Sequence, residues 1–160
     1  MRARLRSLEQ LMPFATAGEL LAKKGRPLIA ISSGATVLGA LHLMHREDVG
    51  FLPVLDEGRL AGVLSERDVA RGGMLEQRVF VREIMTTRIH TVAPEAKVSD
   101  CAMLMHAERI RHLPVVSGER VLGVLSVRDL MGSLIERHER LLRRLNEERV
   151  TLLYPYPSSY

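Results

Sequence analysis

The sequence predicts an α/β fold in which two β-α-β-β-α units pack through their sheets about a pseudo-twofold axis, with an amphipathic helix added at the C-terminal end. Three observations predict it. Residues 28–70, slid forward by 61 positions, fall on residues 89–131 without a gap and agree at about 16 of 43 places, which marks a duplicated structural unit. Within each copy the hydrophobic period changes in the same order, from helical to strand-like. A unit of three short strands with its helices on one face leaves an apolar sheet surface uncovered, so the copies must pack on each other.

Each unit opens on a β-branched segment, Ile29–Ile31 and Ile89–Val92, read as its first strand. Val37, Ala40, Leu41 and Met44, and again Val98, Cys101, Ala102 and Met105, recur at helical spacing and form the buried stripe of one helix per unit. Ser33 and Pro94 stand just ahead, where a cap or a first-turn proline belongs, and set the expected helix starts. Two apolar runs follow in each copy, Phe51–Leu55 with Leu60–Leu64 and Leu113–Val116 with Val121–Leu125. The polar, glycine-containing segments between them predict hairpins. Asp68 and Asp129 open the second helices.

The expected domains are a basic leader (1–16), repeat 1 (17–75), repeat 2 (76–132) and a C-terminal helix with a Pro/Tyr tail (133–160). Residues 71–88 link the repeats, with Gly72-Gly73 as the flexible point and Val81–Met85 as a short lead-in helix of the second repeat. In the last segment Leu134, His138, Leu141 and Leu145 share a face, flanked by Ile135 and Leu142, with Glu136/Arg140 and Glu139/Arg143 as i,i+4 pairs outside. This stripe is expected to pack on its own domain, and it also suits a homodimer contact. Tyr154-Pro155-Tyr156-Pro157 cannot continue a helix, because each proline lacks the N–H and restricts its predecessor.

Composition narrows the function. At 46% hydrophobic and 26% charged residues the chain is globular, and no run of about 18 apolar residues is present to span a membrane. Arg2, Arg4, Arg6 and Ala15-Thr16-Ala17 imitate a signal peptide, but Glu9 and Gln10 break the apolar run it needs. The lone Cys101 has no internal disulfide partner, and a cytoplasmic location is expected. The pI of 9.7 comes from the leader: residues 1–26 hold six basic and two acidic groups, and the remainder holds 17 of each. With a neutral body, no Trp, three Phe and three Tyr, a nucleic-acid reader is not expected. No phosphate-binding glycine loop, nucleophile elbow or isolated carboxylate pair appears, so neither an enzyme nor catalytic residues are predicted. His42-x-x-His45 has metal-ligand spacing, but surface histidines are the reading and no metal is predicted.

Polar residues repeat along with apolar ones. Gly62-Val63-Leu64-Ser65-Glu66-Arg67-Asp68 returns as Gly123-Val124-Leu125-Ser126-Val127-Arg128-Asp129, a Gly-hydrophobic-x-Ser-x-x-Asp string written twice. Together with Ile84-Met85-Thr86 and the run Ile110–Val116, these residues make the chain resemble, over residues 17–132, a tandem pair of cystathionine β-synthase (CBS) domains. Such a pair is a Bateman module, here of the stand-alone bacterial type. The resemblance implies a regulatory sensor that binds AMP, ADP, ATP, NAD(H) or S-adenosylmethionine in clefts between repeats and signals to a regulated protein not identified by the sequence. It gives Asp68 and Asp129 the ribose hydroxyls, and a carboxylate accepting both gains charge-assisted bonds of roughly 1.5 to 3 kcal/mol each. Ser65 and Ser126 meet phosphate at a helix start, with Arg67 and Arg128 as further phosphate contacts. Arg111 and His112 reach phosphates, frequently those of the ligand on the other repeat's aspartate, and Leu113 and Pro114 of the same run belong to the site. Adenine is expected against Thr87, Arg88 and Ile89 in the second repeat.

The same Ser-x-x-Asp is also close to a helix capping box, which needs no ligand, and the two roles can coexist. Gly50-Phe51 stands where the second repeat has Arg111-His112, and Arg26-Pro27-Leu28 where it has Thr87-Arg88-Ile89. Pro27 has no N–H to offer adenine. The first repeat's cleft is therefore expected to be the poorer one. The alternative is a ligand-free structural module that dimerises through its C-terminal helix.

Overall fold

The computed structural model describes residues 16–72 and 79–153. The leader before Thr16, the linker centre with Gly73, and the Pro/Tyr tail from residue 154 lie outside the described residues. The elements in chain order are α1 (Ala17–Lys24), α2 (Val37–Glu47), β1 (Phe51–Asp56), β2 (Arg59–Ser65), α3 (Glu66–Gly72), α4 (Val81–Ile84), α5 (Val98–Ala107), β3 (His112–Ser117), β4 (Arg120–Ser126) and α6 (Val127–Leu153).

Both hairpins form as the sequence predicts, and the duplication extends to their defects. The register breaks between Val54 and Leu55 in the first and between Val115 and Val116 in the second. In the first turn Glu57 and Gly58 both take positive φ, 52° and 80°, the backbone that matches a two-residue hairpin turn to strand twist. Pairing sets Phe51 opposite Ser65 and His112 opposite Ser126.

The expected first strands are reduced to single parallel bridges, Ile31 to Val54 and Val92 to Val115, so each sheet has two strands. Turns cut them short: Ser33 N–H donates to Asp56 Oδ1 at 3.1 Å, and Ala96 N–H closes on the Ala93 carbonyl at 3.0 Å. The same turns delay the helices. Ser33 and Pro94 do not start them; α2 and α5 begin at Val37 and Val98, after Thr36 and Lys97. Thr36 Oγ1 accepts from Gly39 N–H at 3.1 Å, the side-chain cap that Ser33, engaged elsewhere, does not supply.

The lead-in helices are exchanged. Thr16 and Glu19 form a capping box at the start of α1, and Gly25 at φ +60° ends it. Yet α1 docks on the second unit, with Ala17 N–H on the Ala96 carbonyl and Gly18 N–H on the Pro94 carbonyl, both at 2.8 Å. The start of α4 docks on the first unit, with Val81 N–H on the Ala35 carbonyl at 2.8 Å. Each core mixes both stretches of chain. Ala17 and Leu20 pack with Val98, Cys101, Met105, Leu113, Val115, Leu125 and Leu130. Val79 and Val81 pack with Val37, Ala40, Met44, Leu52, Val54, Leu64 and Val69. Gly62 and Gly123 let the exchanged segments approach: a Cβ there would lie 2.5 Å from Met85 Sδ and 2.9 Å from Leu21 Cδ2.

The helix opened by Asp129 does not stop before the predicted amphipathic segment. Without proline to break it, α6 runs for 27 residues, about 40 Å. Leu130 is buried in the second core, but Leu134, Ile135, Leu142 and Leu145 are 42 to 55% exposed. Most of the stripe therefore faces outward, with Leu141 alone of its leucines half-buried. Beyond its first turns α6 leaves the hairpin it starts from, and an ion pair of Lys23 with Glu136 ties it to α1.

Candidate functional site

The two aspartates are held alike. Ser65 donates to Asp68 Oδ2 from its N–H at 2.8 Å and from Oγ at 2.6 Å, and Asp68 N–H returns to Ser65 Oγ at 3.3 Å. Ser126 and Asp129 repeat the arrangement at 2.7, 2.8 and 3.3 Å. The capping box is thus real in both copies. It also fixes the carboxylate through one oxygen, at the N-terminal turn of a helix where anions are favoured. Backbone bonds join the preceding loops to these starts, Glu66 N–H to the Gly50 carbonyl at 3.2 Å and Val127 N–H to the Arg111 carbonyl at 2.9 Å.

One cleft, of about 210 Å³, holds Ser65, Arg67, Asp68 and Arg71 of the first unit against Thr86, Arg88, Ile89, His90, Arg109, Ile110, Arg111, His112 and Pro114 of the second. The other, of about 550 Å³, holds Ser126, Val127, Arg128 and Asp129 against Lys24, Arg26, Asp48, Val49, Gly50 and Glu66, with Phe51, Arg67, Arg111 and His112 shared. An apolar hollow of about 260 Å³ adjoins it, lined by Leu21, Lys24, Arg26, Pro27, Leu28, Ile29 and Val124 among others.

The segments thus cross between units. Arg88 and Ile89, read from the sequence as belonging to the second repeat's site, face Asp68, and the Arg26–Leu28 segment goes to the Asp129 side. Of the residues that made the second repeat look better equipped, Arg88 and Ile89 line the first repeat's cleft and Arg111 and His112 line both, because the chain entering each unit docks on the hairpin of the other. Thr86 bridges Val63, with bonds of 2.9 Å in both directions, and lines the cleft; Thr87 is exposed and not among the lining residues. Leu113 is fully buried in the second core. Strand alternation explains the split: Leu113 and Val115 face the core, while His112 and Pro114 face the cleft.

Phe51 and His112, the same position in the two units, stack with ring centroids 4.6 Å apart and planes 16° from parallel. The stack forms the wall common to both clefts. Burial, then the positive charges of Arg111 and Lys24, push His112 down to about 4 against the opposite pull of Asp129. It is neutral at ordinary pH, so it presents ring surface and a hydrogen-bonding nitrogen, and the cationic part expected of the pair falls to Arg111.

The clefts differ in charge. Arg67, Arg71, Arg88, Arg109 and Arg111 line the first against Asp68, an arrangement suited to phosphate oxygens. In the second, Asp129 is bonded by Lys24 Nζ at 2.8 Å. Burial there raises the Asp129 carboxyl, but the Lys24 ammonium and the Ser126 bonds outweigh it and hold the carboxyl below its usual value. Lys24, Arg71 and Arg109 were not found by sequence reasoning. Lys24 lies ahead of the aligned repeat, and Arg109 answers to Asp48 in the other copy. Both Arg109 and Asp48 take a positive φ, 54° and 51°. Among the described residues no three His, Cys, Asp or Glu side chains gather in a metal-holding group.

The CBS domain family matches residues 17–74 and 81–136. "CBS domain-containing protein CBSX3, mitochondrial" of Arabidopsis thaliana is 36% identical over 69% of this chain and 58% of its own length, so the chain spans little more than half of that relative. A CBS-domain protein of Burkholderia ambifaria superposes with a TM-score of 0.71 at 33% identity, over 76% of this chain and 94% of its own. The CBS domain pair of protein MJ0100, solved with 5′-methylthioadenosine and S-adenosyl-L-methionine, does so with a TM-score of 0.63 at 26% identity, over 68% and 92%. With its duplicated hairpins, exchanged lead-in helices and both blocks matched, the chain belongs to the CBS domain family as a tandem pair.

Proposed function

We propose that this chain is a regulatory module that binds an adenosine-containing ligand (AMP, ADP, ATP, NAD(H) or S-adenosylmethionine) in the clefts between its repeats and passes the bound state to a partner protein in the cytoplasm. Asp68 carries this reading: a carboxylate oriented by Ser65 in the wall of a cleft with five arginines. A ribose diol donates to such a carboxylate, and the attached phosphates then fall among guanidinium groups that hold them bidentately. The adenosine ligands of the MJ0100 pair support the same ligand class. We assign the module no catalytic step. Among the described residues no helix is long and apolar enough to cross a membrane, and the charge-neutral repeat body speaks against a nucleic-acid partner.

A thermal-melt panel of the five ligands tests the reading. A ligand at 100 times its dissociation constant is expected to stabilise the chain by about 2.7 kcal/mol. No shift with any of them at millimolar concentration contradicts ligand sensing and leaves the ligand-free dimerisation module.

The exposed Leu134, Ile135, Leu142 and Leu145 favour a homodimer through α6. Removal of residues 133–160 is expected to convert a dimer to a monomer in sedimentation, with nucleotide binding retained. A full-length chain that sediments as a monomer contradicts this.

A further inference from the structure

The carboxylate of the second cleft already has a cation. Lys24 Nζ donates to Asp129 Oδ2 at 2.8 Å and to the Val124 carbonyl at 3.1 Å, with its side chain 29% exposed. It is the last residue of α1, and the αL glycine that follows fixes where the helix ends. On the preceding residue, Lys23 pairs with Glu136 of α6. No lysine lines the Asp68 cleft, so the two sites, alike in their Ser-Asp geometry, differ in what a ribose must displace.

A ribose diol that engages both Asp129 oxygens must share Oδ2, on which Lys24 Nζ, Ser126 N–H and Ser126 Oγ already converge, and there it exchanges an ammonium for a neutral hydroxyl. That exchange is unfavourable for a half-buried pair unless the ligand itself brings an anion. Phosphate does so. A neutral nucleoside does not, and a sulfonium adds a further positive charge to a cleft where Lys24, Arg26, Arg67, Arg111 and Arg128 already outnumber Asp48, Glu66 and Asp129.

Resting on the functional reading above, we propose that Lys24 is the specificity-determining residue of the Asp129 cleft, admitting adenosine ligands that carry phosphate and turning away neutral or cationic ones. Preference for an anion does not by itself single out Lys24, because arginines line the same cleft. The signature is a change of opposite sign for two ligands. Lys24→Met keeps much of the stem and removes the charge, so adenosine, meeting a freed Asp129, binds more tightly while AMP binds more weakly.

The test is calorimetric titration of the full chain with AMP, adenosine and S-adenosylmethionine. An Asp68→Ala background lets only the Asp129 cleft report. If that variant does not fold, Asp68→Asn, whose amide oxygen still accepts the Ser65 bonds, replaces it. With Lys24 present AMP is expected to bind at least about tenfold more tightly than either other ligand. Lys24→Met is expected to lower the AMP-to-adenosine affinity ratio by about tenfold to a hundredfold, the range of one lost charge-assisted bond. An unchanged ratio, or equal weakening of AMP and adenosine, overturns the proposal. So does a wild-type chain that binds AMP but loses all binding with Asp68→Ala, and in that case the functional reading stands. If no adenosine ligand binds the wild-type chain at all, that reading and this proposal fall together.

Discussion

Asp68→Ala is expected to weaken nucleotide binding in its cleft by about tenfold to a hundredfold, the effect of removing a carboxylate that accepts charge-assisted bonds from a ribose. It also removes the acceptor for Ser65 N–H and Oγ, and although Ser65 Oγ keeps the N–H of residue 68, the lost return half of the capping box costs about 1 kcal/mol. Asp68→Asn separates the two effects. Its amide oxygen can still take the Ser65 bonds, so the melting temperature should stay near that of the wild type, while the loss of charge lowers affinity. Calorimetry and thermal melts of both variants measure this. Unchanged affinity in Asp68→Ala with a lowered melting temperature would leave Asp68 a capping role only.

Leu113→Ala is expected to lower the folding free energy by about 2 to 5 kcal/mol, the range for a buried leucine cut back to a methyl group. Leu113 is 0% exposed and packs with Ala17 and Leu20 of α1 as well as Val98, Cys101 and Leu125. The cavity would therefore open where chain from both sequence units meets, and α1 should loosen with the second core in a single transition. Urea denaturation measures the loss. A cost below about 1 kcal/mol would contradict the core placement and return Leu113 to the ligand site, where its neighbours Arg111 and His112 lie.

The parts legible in the sequence are those set by local periodicity. Both hairpins, the helical stripes, the lead-in helix at Val81 and the reciprocal Ser-Asp bonds follow from alternation, turn residues and capping chemistry within a few positions of one another. The first strands failed because Ile29–Ile31 and Ile89–Val92 have strand composition but run into turns, at Ser33 and at Ala93–Ala96, that leave one bridging residue each. The stripe on α6 has the periodicity of a packed helix, and periodicity alone does not say whether its own domain reaches that far.

The cleft was legible in its parts and misjoined as a whole. A gap-free offset of 61 sets Arg88 beside Asp129 in the second copy, whereas the exchanged lead-in segments bring Arg88 to Asp68 and Lys24 to Asp129. Lys24 and Asp129 are 105 residues apart, and such contacts leave no trace in local spacing. The mismatches between copies remain informative. Phe51 and Arg111-His112 meet at the shared wall, and there the unequal copies supply a Phe-His stack and the Arg111 guanidinium to both clefts, beside Arg67.

The most direct measurement is a crystal structure of the full chain grown with saturating AMP. The expected result is the ribose hydroxyls on the Asp68 carboxylate and the phosphate among Arg67, Arg88 and Arg111. An empty Asp68 cleft, or AMP bound with its ribose away from both aspartates, would contradict the proposed function.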